Sequence, residues 1–375
     1  MSQPSSIGRI LQEPTRTTES TESTALIIGA IAFVVATPIG LIAFWGRELP
    51  ISGPDSLGMY VAIGAAIVAA LAFAAGRLVL RRRFGPAPAD PDVEDAAAAR
   101  SASGPRGAEP PRLLWFDVLA LSIAHAVIAM LGWVGLADVL EQSFVGAPVF
   151  VLPGAILLGV ALALTAYVCF LSSVRMTPML LSIVLAVFLV VGVITAMLSS
   201  SDPQWWQMNL SALGMTDDIS ALAFNLTLVI AGAIVTIVAR YATAGLPSAT
   251  DRDRRGRDFV RYGLVVIGIL LACVGIFHVD DFFLVHNTVA SGMAVVYAVI
   301  VIGLPKFLPS MPRVFVILGW VYVGVIVVLG VFFATGYYNL TAVELVAGLL
   351  IFSWIILFLR NADSAGARRI LAVTA

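Results

Sequence analysis

The sequence predicts an all-α fold, a polytopic integral membrane helical bundle of ten transmembrane helices with both termini cytoplasmic. Three observations predict it. The 375 residues are 60% hydrophobic and only 12% charged, a balance that excludes an ordinary soluble domain. Ten continuous apolar runs are each about 20 residues long, the length a helix needs to cross hydrocarbon. The basic residues fall on one side of those runs. A transmembrane barrel is excluded because its strands would be alternating and half as long.

In chain order, residues 1–24 are polar and Ser/Thr-rich and are expected to be a disordered cytoplasmic N-terminus. They carry Glu13, Glu19 and Glu22, too acidic for the start of a signal peptide, so the first span is expected to remain as an anchor. Spans Leu26–Trp45 and Leu57–Leu80 form an expected N-terminal hairpin over 25–80. Residues 81–112, rich in Pro, Ala and acid beyond Phe84, read as a disordered linker. Spans Leu113–Leu136 and Val149–Leu171 occupy 113–174. The remaining six, Met179–Ser199, Ile219–Tyr241, Phe259–His278, Thr288–Phe307, Val314–Thr335 and Thr341–Leu359, occupy 175–360, and 361–375 is a cytoplasmic tail. No internal repeat relates the halves. Small residues at helical spacing, Gly154-Ala155 with Gly159 and Ala163, or Gly324 with Gly330, are expected inside the bundle.

With the N-terminus inside, every one of the 22 Lys and Arg residues except Arg47 lies on the cytoplasmic side. The opposite side is acidic and holds Glu48, Asp55, Asp138, Glu141, Asp202, Asp217, Asp218, Asp280 and Asp281. Arginine in place of lysine, with abundant Ala, Gly and Val, points to a GC-rich bacterial genome and to the bacterial cytoplasmic membrane. Cys169 and Cys273 both fall inside spans, which excludes a disulfide framework or a cysteine zinc site.

Polar groups inside spans are costly and mark candidate sites. Asp217 and Asp218 open span six, and Asn225 lies two turns further in on the face of Asp218. His278 closes span seven, Asp280 follows in a short outer loop, and His286 and Asn287 open span eight. These seven are the candidate ligand-binding residues, expected to converge in one outward-open pocket. Asp117, His125 and Glu344 are secondary candidates. Asp117 and His125 share a face of span three with Ser122 close by. That set resembles the membrane zinc hydrolases of the alkaline ceramidase type, but their second histidine pair, four apart, is replaced here by His278 and His286, eight apart. No metal and no cofactor is expected.

The run Ser211-Ala212-Leu213-Gly214, then Phe224-Asn225, Gly232 and His286-Asn287 with Ser291-Gly292, resembles the bacterial membrane family called domain of unknown function 998. The resemblance covers about residues 175–360. It implies a six-span bundle and a place in the wider Frag, DRAM and Sfk-like group, some of whose members are tied to lipid handling. The expected function is therefore binding or handling of lipid through an outward-facing polar pocket, more in the manner of a binding protein than an enzyme. A carrier for a small solute or cation and an intramembrane metal-dependent hydrolase are the alternatives. Membrane lipids are the expected partners, nucleic acid is not, and a homo-oligomer is left open.

Overall fold

The computed structural model describes residues 18–84, 114–215, 218–244, 246 and 250–374. It contains ten helices long and apolar enough to cross a membrane, and the protein is a multi-pass helical bundle. They are α1 (Thr18–Ala43), α2 (Leu57–Phe84), α3 (Trp115–Ser143), α4 (Val151–Val174), α5 (Pro178–Leu198), α6 (Ile219–Ala244), α7 (Asp251–Ile276), α8 (Phe283–Phe307), α9 (Arg313–Ala334) and α10 (Leu340–Thr374). Two short 3-10 turns, Trp205–Gln207 and Leu210–Gly214, lie between α5 and α6. The linker 85–112 and Asp217 fall outside the described residues.

Several helices start earlier or run longer than their apolar cores. α1 already begins at Thr18, inside the segment expected to be disordered, where the Thr24 hydroxyl donates to the Ser20 carbonyl and Glu22 faces Arg175, just past the end of α4. α7 begins at Asp251, ahead of its apolar run, because Thr250 and Asp253 form a reciprocal capping box. α5 starts where the Thr177 hydroxyl accepts from the Leu180 amide, with Pro178 in the first turn. α10 continues past Asn361 to Thr374.

The expected hairpin of the first two spans is not a packing unit. α1 lies against α4, and α2 lies against α3 and α4. The small surface of α4 explains this. A Cβ at Gly40 would sit 3.0 Å from Ala155, and one at Gly29 would sit 3.1 Å from the Ala163 carbonyl. Without a hydrophobic force between helices in lipid, such close approach decides partners. Among the other six helices α6 is central: it packs on α5, α7 and α10 and also on α3, and its apolar window is 67% buried against 11% for α9. α6 and α7 cross backbone to backbone: a Cβ on Gly268 would lie 2.6 Å from the Gly232 carbonyl. Gly324 and Gly330 meet nothing within 4 Å, so the expected interior role of these two is not seen. They lie on the outward face of a peripheral helix.

The two ends of the bundle differ in charge, as the sequence requires. At the acidic end the helix connections are tied together. Leu49 and Val149 exchange two backbone hydrogen bonds, of 3.1 and 2.8 Å. Asp138 accepts from Ser52 and from Ser199, the latter at 2.9 Å. The Asn339 amide donates to the Trp206 carbonyl at 3.0 Å. Arg47, the cation that breaks the charge rule, pairs with Asp55 and donates to Tyr60. Its charge is thus compensated locally.

Candidate functional site

The acidic end holds two polar features of different kinds. The first is a closed hydrogen-bond network around the 3-10 turn Leu210–Gly214. Asn225 of α6 donates through its side-chain amide to the Gly214 carbonyl and to His278 Nε2, both at 3.0 Å. Gly214 is required there, since a Cβ would collide with the Asn225 amide oxygen. His286 of α8 is 3% exposed. Its Nδ1 lies 2.7 Å from the Phe277 carbonyl, which can only accept, so Nδ1 carries the proton. Nε2 is then the acceptor for the Ser211 hydroxyl at 2.9 Å. Glu344 of α10 accepts from the Leu210 amide at 2.6 Å.

Asn225, His278, His286 and Glu344 are therefore brought together, with Ser211 as the link. The other candidates stand aside. Asp218 caps α6 at the Ala221 amide and accepts from Ser201. Asn287, one residue past His286, turns away and donates to the Phe283 carbonyl in its own helix. Asp280 is exposed, and with Asp281 and His278 it offers three metal-type donor atoms within 4.8 Å of one another. The Asn225 amide opposes that use. It already donates to His278 Nε2, so the proton sits on Nδ1 and neither ring nitrogen presents a free lone pair.

The secondary candidates lie elsewhere. His125 donates from Nδ1 to the Leu121 carbonyl and accepts at Nε2 from Ser172 of α4, each at 2.8 Å. It is a bridge between helices. Asp117, fully buried, pairs with Arg240 of α6 and accepts from the Leu114 amide at 2.9 Å. Two Ser–His pairs, His125 with Ser172 and His286 with Ser211, have the contact a nucleophile and base require. In both the ring is held by a backbone carbonyl, and neither pair lines the cavity described next.

The second feature is that cavity, a cleft of about 580 Å³ between the ends of α2, α3, α5 and α6. Its floor is apolar, with Met59, Ile63, Met130, Leu131 and Leu222. Its rim is polar, with Ser52, Ser56, Asp138, Glu141, Gln142 and Ser199. Each oxygen of Asp138 accepts from one serine. Glu141 accepts from the Gly146 amide at 3.3 Å through one oxygen, while its other oxygen is shielded from solvent and has no partner. The sequence placed Asp138 and Glu141 only on an acidic face. Their spacing of three puts both on one side of a helix, which is the signal that marks them. Comparison with family models, curated proteins and solved structures returned no match.

Proposed function

We propose that this membrane protein binds lipid from the outer leaflet of a bacterial cytoplasmic membrane, with the headgroup in the cleft between α2, α3, α5 and α6. The observation that carries the reading is the shape and polarity of that cleft: an apolar floor for the root of an acyl chain under a rim of carboxylates and hydroxyls. The carboxylates of Asp138 and Glu141 on that rim favour a headgroup that donates hydrogen bonds, an amine or a polyol. The positive-inside rule supports the outward orientation. The resemblance to the domain-of-unknown-function-998 family belongs to the same proposal. On that reading the cleft joins two helices from outside the resembling region, α2 and α3, to two from within it.

The test is lipid retention. Full-length protein and Glu141→Gln are purified in a mild neutral detergent, and co-purifying lipid is measured by native mass spectrometry. We expect one amine- or polyol-headed lipid per chain in the wild type and roughly tenfold less in Glu141→Gln, the scale of one hydrogen bond to a charged group. Equal retention in the two proteins refutes the assignment.

A further inference from the structure

Among the described residues, one arginine at the basic end of the bundle has no counter-charge. Arg77 lies on α2 two turns before Phe84. Its Nε and one terminal nitrogen are shielded and find no hydrogen-bond partner. None of the ion pairs of the described residues includes it. Its guanidinium lies over the Phe73 ring, 5.9 Å from the centroid, and that ring packs on His125. The phenol of Tyr241, near the end of α6, interacts with Arg77 electrostatically and is itself shielded and unpartnered. Asp117, the buried carboxylate near the start of α3, is committed to Arg240 and to the Leu114 amide. Among the described residues, no carboxylate therefore pairs with Arg77.

An uncompensated charge at this depth is expensive, and intramembrane cations normally find an anion. The groups left without a partner are two guanidinium nitrogens and a phenolic hydroxyl. This donor set suits the oxygens of a phosphate. Arg77 lies one turn inside the basic end of its apolar span, Leu57–Leu80, below the headgroup layer on that side. Arg77 keeps its stem among apolar groups and has reach enough to present its head there. The sequence continues with Arg81, Arg82 and Arg83, and basic groups next to a membrane surface concentrate anionic lipid. We propose that Arg77 and Tyr241 bind a phosphate group at the basic end of the bundle, supplied by an anionic phospholipid of that leaflet. The site joins α2, outside the region of resemblance, to α6, inside it. It is distinct from the cleft, at the opposite end of the molecule.

The experiment uses delipidated full-length protein in neutral detergent, titrated with phosphatidylglycerol, with phosphatidylcholine and with inorganic phosphate, and read by native mass spectrometry. We expect one phosphatidylglycerol per chain bound more tightly than phosphatidylcholine. Arg77→Met should weaken that binding roughly tenfold or more and erase the preference. Arg77→Lys, which keeps the charge without the fork, should fall between. Tyr241→Phe removes only a hydroxyl and should weaken binding about threefold or more. Arg77-dependent binding of inorganic phosphate that displaces the lipid would support the same site with a free anion as its source. Should Arg77→Met fail to remain monodisperse, Tyr241→Phe decides. Phosphatidylglycerol binding unchanged in the folded variants, or equal binding of both lipids by the wild type, overturns the proposal. Because Glu141 is at the other end, its variant separates failure here from failure of the cleft.

Discussion

Replacing Arg240 by Met should destabilise the bundle far more than neutralising its partner Asp117. The two members of this ion pair are unequally placed. The Asp117 side chain is 0% exposed, whereas that of Arg240 is 38% exposed. Arg240→Met leaves a buried carboxylate with the Leu114 amide as its remaining donor. Breaking a buried pair in this way costs about 3–5 kcal/mol. Asp117→Asn leaves an arginine that turns to the headgroup layer and recovers solvation, and the amide oxygen still caps α3. After discounting for screening at the exposed member, that loss is about 1 kcal/mol. The gap between the variants is thus roughly 2–4 kcal/mol. Unfolding free energies measured by steric trapping in micelles would show it, with the double variant Asp117→Asn/Arg240→Met closing the cycle. We expect the double variant to be more stable than Arg240→Met alone. An Asp117→Asn cost equal to or above that of Arg240→Met, or strict additivity in the double variant, would refute the reasoning from burial.

Other expectations follow from the same geometry. Gly268→Leu should abolish monodisperse protein on size exclusion, because its Cβ would lie 2.6 Å from the Gly232 carbonyl, while Gly324→Leu, with nothing within 4 Å, should behave as wild type. His286→Ala should cost about 1–3 kcal/mol by stranding the Ser211 hydroxyl and the Phe277 carbonyl, and Asn287→Ala should stay within about 0.5 kcal/mol, both read from melting in detergent. Reporter fusions after Pro54, Gly146 and Phe283 should be active only outside the cell and a fusion after Thr250 only inside. A cytoplasmic reading at Phe283 would undo the map of the last four helices.

The number, order and placement of the helices were legible because hydropathy and charge are local properties. Arg252 to Arg261 and Arg81 to Arg83 fix the sides independently of any contact. Polar residues in spans were also readable as bundle-facing. Asn225, His278 and His286 do meet partners, since an unpaired amide or imidazole in hydrocarbon is costly. What the sequence left hidden is which partner each one takes. Ser211 and Glu344 complete the network through a 3-10 turn whose path depends on tertiary packing. Asn287 differs from His286 by one position and so by a large rotation around the helix, which reverses its surroundings. The cleft at Asp138 and Glu141 is assembled from four helices and a loop, and its shape is a property of their crossing. Arg77 was hidden for another reason: the positive-inside pattern already accounted for an arginine near that end.

The partnership of α1 with α4 sets a timetable for biogenesis. A membrane chain is made from its N-terminus, so α1 enters the bilayer while its main contact surface, Ala155 to Ala163, does not yet exist. It must be retained as a lone helix until three further spans, α2, α3 and α4, have been delivered. The Leu49–Val149 backbone pair can close only then, and it acts as the latch that ends this waiting period. Truncation after α2 would therefore release a pair of helices with no stable seat for the first. Truncation after α4 yields the shortest product in which α1 has been handed to its permanent neighbour.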